Sequence, residues 1–429
     1  MNVVFLAIVV IAFAAAGWRQ LFWVAAAGAP SPMEVLSTAM VTAAADSVKL
    51  ALGLIGVMTL FLGLMKVAEE GGLLRILARL IRPLMVRLFP NVPPDHPAMG
   101  AMILNMSANA MGLGNAATPF GIRAMQELDG LNTRPGTATD SMALFLAINT
   151  SSVTLLPTGV IALRAAAGSK DPAGILATTL FATVCSTVAA ICAAFVYKRF
   201  FRSSRPEEQW NTPKGESPEA DGISLDDAAG AYPVWVSALA MMSLVAAIPL
   251  AVVWGRAVSP WVIPGLMVGF LMFGFIRRVQ VYEVFVEGAK EGFQVAVKII
   301  PYLVAILVAV GMFRESGAME AMVRILGPWT AKIGLPPEAL PMALVRPLSG
   351  SGAYGVLASL LKDPSIGPDS YVGYLVSTLQ GSTETTFYVL AVYFGAVQVR
   401  RIRHTLAAGL TADIVGIMAS VAICTYLYG

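Results

Sequence analysis

Long apolar runs separated by brief polar interruptions organise this chain from end to end. Residues 47–66, 174–197, 232–255, 259–276, 293–313 and 404–428 are the clearest runs. Each is close to the ~20 helical residues that cross a hydrocarbon core. The opening stretch "MNVVFLAIVVIAFAAAGW" is read as a further membrane helix, because no basic segment precedes it as in a signal peptide. The short alternating segments that build a membrane β-barrel are not seen. The pattern predicts an all-α, polytopic helical membrane protein.

Four stretches are apolar overall yet interrupted by polar residues, Gly or Pro: 102–121, 147–159, 342–361 and 375–395. Unpaired backbone groups cannot face lipid, so such breaks survive only inside protein or along a wet cavity. They predict broken or re-entrant helices whose tips meet at the centre. In the last stretch, "LVSTLQGSTETTFYVLAVYFG", a helix is expected to start near Ser382, aiming amide donors and hydroxyls at a polar or anionic group. Gly112, Gly114, Gly350 and Gly352 would let backbone approach a ligand.

The chain also repeats itself. "GLMKVAEEGGLLRILARLIRPL" from Gly63 lines up with "VGMFRESGAMEAMVRILGPW" from Val310, which sets Glu70 on Glu315, Gly72 on Gly317, Arg79 on Arg324 and Pro83 on Pro328. "VPPDHPAMGAM" from Val92 then matches "LPPEALPMALV" from Leu335. Last, "AINTSSVTLLPTGVIAL" from Ala147 matches "TLQGSTETTFYVLAVYF" from Thr378. Between the copies, residues 198–233 are rich in charge, Pro, Gly and Ser and read as an aqueous linker. The expected organisation is a first repeat over 1–197, the linker, and an extra helix plus second repeat over 234–429. Basic "YKRFFRSSR" follows the last helix of the first copy, whereas "VRRIRH" precedes the last helix of the second. Basic loops favour the cytoplasm, so the copies are expected to be inverted, with helix 232–255 supplying the flip.

Composition settles the solvent: 57% of residues are hydrophobic and 13% charged, with a mean hydropathy of +0.73, against about 25% charged in soluble proteins. The net charge of +3 is ordinary for a membrane protein and calls for no nucleic-acid partner. Within the interrupted stretches two charges stand out, Arg346 and Glu384. An ionised group at mid-membrane costs at least about 2.5–3.5 kcal/mol, so it is usually paired or functional. Glu384, with Thr385, is the candidate for binding a coupling proton or sodium ion. Arg346, placed at the start of its broken helix, is the candidate for holding a substrate carboxylate or phosphate. Around them, Asn105, Ser107, Asn109, Asn115, Asn149, Ser151, Ser152, Ser349, Ser351, Gln380, Ser382 and Thr383 are the candidate substrate contacts.

Plainer uses compete. Arg346 and Glu384 can simply pair and lock the hairpins, Glu384 can complement a helix dipole, and membrane Ser and Thr often bond back to a carbonyl one turn earlier. Arg75, Arg79 and Arg82 recur on one face of 71–89, the pattern of an amphipathic interfacial helix or of a homo-oligomer contact. Cys185, Cys192 and Cys424 lie in apolar runs, and His96 and His404 stand alone, so neither a disulfide framework nor a metal site is expected. No Walker loop, dinucleotide fingerprint or nucleophile elbow is present. The chain is therefore read as a non-enzyme without cofactors.

Longer motifs add a resemblance. "GLIGVMTLFLGLMKVAEEGGLL", "PPDHPAMGAMILNMSANAMGLGNAATPFG" and "FLAINTSSVTLLPTGVIALRAAAG" resemble the bacterial spore maturation protein A family. "IIPYLVAILVAVGMFRESGAM", "LPMALVRPLSGSGAYG" and "QGSTETTFYVLAVYFGAVQVRRIRH" resemble spore maturation protein B, as though the two were fused at the linker. The resemblance places both families in a wider nucleoside-recognition or gate-domain group, which is similar to concentrative nucleoside transporters and to the membrane part of ferrous iron transporter B. The resemblance implies a multi-pass protein of the bacterial inner membrane, with a role in dehydrating the spore core where sporulation exists. The combined expectation is a secondary transporter or channel-like carrier for a small polar, anionic solute, coupled to protons or sodium. The alternative is a non-transporting scaffold or regulator of envelope or cortex enzymes.

Overall fold

The computed structural model describes residues 2–24, 29–112, 114–200 and 232–429, and the described residues are helical apart from connections and one isolated bridge between Thr137 and Arg401. Nearly all of the linker expected over 198–233 lies outside them. In chain order come α1 (Asn2–Leu21), α2 (Pro32–Glu70), α3 (Leu73–Leu88), α4 (Pro97–Ala110), α5 (Gly114–Gly130), α6 (Asp140–Asn149), α7 (Thr158–Ala166) and α8 (Leu176–Tyr197). There follow α9 (Val234–Ile276), α10 (Val281–Glu315), α11 (Ala318–Thr330), α12 (Leu340–Val345), α13 (Gly350–Lys362), α14 (Tyr371–Ser382), α15 (Thr386–Ala396) and α16 (Thr405–Tyr428). Elements α2–α8 and α10–α16 are two series of the same plan. Each runs as a long helix, an amphipathic helix, a short pair, a broken pair and an apolar closing helix.

Local chemistry explains the correspondence. The turn into each amphipathic helix passes through a glycine in the left-handed region, Gly72 at φ 87° and Gly317 at φ 82°, where a side chain would be strained. The amphipathic helices also share an internal proline, Pro83 in α3 and Pro328 in α11. These are the positions that the two sequence copies set against each other. Of the expected spans, α8 and α16 are long and apolar enough to cross a hydrocarbon core.

One expectation is corrected. The runs 232–255 and 259–276 form a single helix, α9, 43 residues long and about 64 Å at 1.5 Å per residue. The polar "GRAVSP" stretch between them is too short to end it, since helical hydrogen bonds bridge it. Among the described residues, a single element still separates α8 from α10.

Matched helices pack against each other head to tail. A Cβ on Gly292 of α10 would lie 2.8 Å from the Met58 carbonyl oxygen and from Thr59 Cα, one on Gly288 would meet Lys66, and one on Gly311 would meet Ala43. Position rises along α10 as it falls along α2, so these two helices are antiparallel. The same holds for α8 and α16: the Ser186 hydroxyl donates to the Ala412 carbonyl at 2.9 Å, and the Tyr428 hydroxyl donates to the Gly174 carbonyl, also at 2.9 Å.

Two apolar cores stack along the α8–α16 pair. One joins α3–α6, the end of α8 (Ala190, Ala194) and the start of α16 (Ala408, Ala412), and it includes Val389, Leu390, Tyr393 and Phe394 of α15. The other joins α12–α14 and the end of α16 (Val421, Cys424), and it includes Val160, Ile161 and Leu163 of α7. Each broken pair thus sends its second half into the core of the opposite series. Arg164 fastens this exchange. Fully buried on α7, it donates to the Pro368 carbonyl at 2.7 Å, Ser377 Oγ at 3.3 Å and Asp369 Oδ1 at 3.2 Å, and it lies 4.2 Å over the Tyr374 ring.

Losing Arg164 would strip the partners of a buried cation, so Arg164→Met is expected to destabilise the protein by about 3 kcal/mol. Asp369 keeps 32% of its side chain exposed, and an amide there still offers Arg164 an oxygen acceptor, so Asp369→Asn should cost less, about 1.5 kcal/mol. Thermal unfolding in detergent checks the order, and equal losses would contradict it.

Candidate functional site

Helical hydrogen bonding stops at all four interrupted stretches. α4 gives way to α5 around Gly112, α6 to α7 across 150–157, α12 to α13 across 346–349, and α14 to α15 across 383–385. The second and fourth breaks cross in the band between the two cores. There the Glu384 N–H donates to the Thr150 carbonyl at 2.8 Å, so each broken segment satisfies a backbone group of the other. Small residues on α16 let the segments nest: a Cβ on Gly409 would press on Thr386 at 2.9 Å, and one on Gly416 on Thr383 at 2.8 Å.

Arg346 sits beside the crossing and is 6% exposed. Its guanidinium donates to the Thr383 carbonyl and to Thr385 Oγ1 at 3.3 Å, and lies 3.7 Å from Glu384 Oε2. It occupies the C-terminal end of α12 rather than the start of a helix. The expected helix start near Ser382 is likewise corrected: Ser382 ends α14, and α15 begins at Thr386. The physical reason is the extended backbone at Thr383 and Thr385. In extended chain successive side chains alternate. Thr383 and Thr385 therefore point inward, 5% and 4% exposed, while the Glu384 side chain is 48% exposed. Glu384 edges the site instead of lying within it.

Other candidates divide. Asn109 Nδ2 donates to Asn149 Oδ1 at 3.0 Å, so these two meet where α4 and α6 end. Asn105, one turn away, faces a different partnership: its amide donates to the Ala117 carbonyl at 2.7 Å and to the Tyr393 hydroxyl at 3.2 Å. Ser107, Ser151, Ser152 and Ser382 bond back to the carbonyls of Ile103, Ala147, Asn149 and Leu379 at 2.8–3.1 Å, which occupies their protons locally. Ser349 caps α13 by accepting the Gly352 N–H at 3.0 Å, and Ser351 is half-buried in the next turn. Gln380 is buried. The side chain of Asn115 lies outside the described residues.

Sequence reasoning passed over three residues. Asp413, 3% exposed on α16, accepts the Thr386 hydroxyl at 2.7 Å and lines a narrow crevice with Arg346, Ser382 and Thr383. The crevice leaves no room for a water-sized group. A lone acid within the 404–428 run was the available signal. Tyr393 and Arg164 gave none, since the partners that tie them across the fold, Asn105 for the one and Pro368, Asp369 and Ser377 for the other, lie more than 200 residues away in sequence. His96 caps α4, accepting the Ala98 N–H at 3.2 Å. A wider, open cleft of about 360 Å³ lies where α6 begins, lined by Asn132, Arg134, Thr139, Asp140 and Arg403.

Because Arg346 binds three acceptors and Glu384 is half in the open, the pair is lopsided. Arg346→Ala is expected to cost about 1.5–3 kcal/mol and Glu384→Gln under about 1 kcal/mol, measured by unfolding in detergent. Equal costs would mean a symmetric ion pair instead.

Comparison with known proteins bears on this geometry. A family model described as Gate, nucleoside recognition, matches residues 51–168 and 296–400, two stretches that contain all four breaks. The chain is 48% identical over 167 residues to Spore maturation protein B of Bacillus subtilis (strain 168), covering 39% of this chain and 93% of that protein. It is 46% identical over 169 residues to Spore maturation protein A of the same organism, again 39% of this chain and 86% of that protein. Over 84 residues it is 34% identical to Inner membrane protein YjiG of Escherichia coli (strain K12), 19% of this chain and 55% of that protein. No solved structure matches it significantly.

Proposed function

The chain belongs to the Gate family of nucleoside-recognition membrane proteins, and from that premise we propose that it is a multi-pass inner-membrane carrier for a small polar, anionic solute, driven by protons or sodium. The observation that carries the reading is the crossing itself. Two unwound segments, one from each series, meet between two apolar cores with a buried guanidinium beside them. Unwound backbone at such depth is the usual construction of a carrier site. Arg346 supplies the positive charge that an anionic solute requires.

The architecture that suits this is a pair of inverted repeats, 1–197 and 234–429, joined by 198–233. Antiparallel packing of α2 on α10 and of α8 on α16 favours it, because matched elements of inverted copies must run oppositely. The narrowness of the crevice suits a closed conformation, which any alternating-access cycle includes. In spore formers the same activity would serve spore maturation, in keeping with the two Bacillus subtilis relatives. A second reading, a non-transporting scaffold for envelope enzymes, draws on that same narrowness and on both terminal nitrogens of Arg346 being engaged by protein groups.

Reconstituted full-length protein separates them. A panel of nucleosides, small carboxylates and inorganic phosphate is expected to contain a solute that raises the unfolding temperature and accumulates in vesicles under a proton or sodium gradient. Arg346→Ala should reduce both effects at least about tenfold, equivalent to 1.4 kcal/mol. If no panel member does either under either gradient, the scaffold reading stands.

A further inference from the structure

Asp413 is the single charged residue in the 24 residues of α16. It lies about 12 Å along that helix at 1.5 Å per residue, well inside an apolar span. Its two oxygens have different fates. Oδ2 accepts the Thr386 hydroxyl at 2.7 Å. Oδ1 is buried with no hydrogen-bond partner among the described residues. A carboxylate left so is unstable as a bare anion, because burial removes water and no donor replaces it at Oδ1.

The surroundings supply too little positive charge. Of the elements packed on α16, α8 turns Ser186 towards this stretch, α6 ends beside it at Thr150, α14 at Ser382, and α15 starts with Thr386, all uncharged. The charged neighbours are Arg346, which shares the crevice, and Glu384. With both acids ionised, one guanidinium faces two carboxylates, leaving the cluster one positive charge short. The two terminal nitrogens of Arg346 are moreover turned to Thr383, Thr385 and Glu384 rather than to Asp413.

We propose that Asp413, with the Thr386 hydroxyl, is a cation-binding point whose carboxylate takes up one positive charge, as a proton on Oδ1 or as a sodium ion against it. The coupling role thereby moves from half-exposed Glu384 to the enclosed acid behind Arg346. Protonation adds H⁺ to the carboxylate and yields the neutral acid; sodium leaves the carboxylate ionised but charge-balanced. Thr386 opens α15, the helix that starts at the crossing, so occupancy of Asp413 bears directly on the geometry of the crossing. The word coupling rests on the carrier reading, but cation uptake does not.

Infrared difference spectroscopy on the reconstituted full-length protein tests it, with pH varied in choline chloride and sodium exchanged for choline at fixed pH. A neutral-acid carbonyl band that is lost in Asp413→Asn identifies a proton. A sodium-dependent shift of carboxylate bands that is lost in Asp413→Asn identifies sodium. Either result supports the proposal. It is overturned if neither signal occurs, or if the signals persist in Asp413→Asn. Should that variant fail to fold, Thr386→Val, which removes only the hydroxyl on Oδ2, is expected to shift the same band, and an unmoved band overturns the assignment. No transported solute enters the measurement. Lost uptake with the band intact therefore refutes the carrier alone, and uptake without the band refutes the Asp413 site alone.

Discussion

A peptide N–H or C=O buried away from water must find a partner, and the centre of this protein is built around meeting that demand twice over. Two helices come apart midway, each freeing backbone groups that a continuous helix would have satisfied. They are placed so that the broken stretch of one lies across the broken stretch of the other, and the Glu384 amide is received by Thr150. Arg346 takes up the Thr383 carbonyl. What looks like a weakness in either helix becomes a joint between the two.

From that joint the packing follows. Because each broken segment carries on past the crossing, α7 and α15 enter cores that their own series did not begin. A band of hydroxyls separates the cores, including Thr183 and Ser186 of α8 along with Thr385 and Thr386. These groups are small enough for helices to approach and polar enough to answer stray carbonyls. The Thr178 and Thr378 hydroxyls meet at 2.7 Å, one from each series, between the closing helix of the first and the broken pair of the second.

Much of this was readable in the amino acids. Glycine, proline and polar clusters mark all four interruptions, and the aligned Gly72 and Gly317 fall at two left-handed turns. The direction of individual side chains was less accessible. A helix from Ser382 would carry Glu384 into the site, whereas extended chain at Thr383 and Thr385 turns it outward and its neighbours inward. Helix ends within apolar runs depend on what the freed backbone can bond to, and that partner lies in the other series. Asp413 escaped notice because one acid hardly alters the hydropathy of 24 residues. Nothing in the sequence around Arg164 shows that acceptors from Pro368 to Ser377 come together around it.

The traded half-helices have a bearing on how such a molecule can be assembled. Were the connecting stretch between α8 and α9 cut, neither fragment would own a finished interior: one would lack Val389 to Phe394, the other Val160 to Leu163. Each fragment would hold out a greasy hook shaped for the other's socket. Fragments made as separate polypeptides would thus be obliged to marry during folding, and a single continuous chain guarantees that the two are always born in equal number.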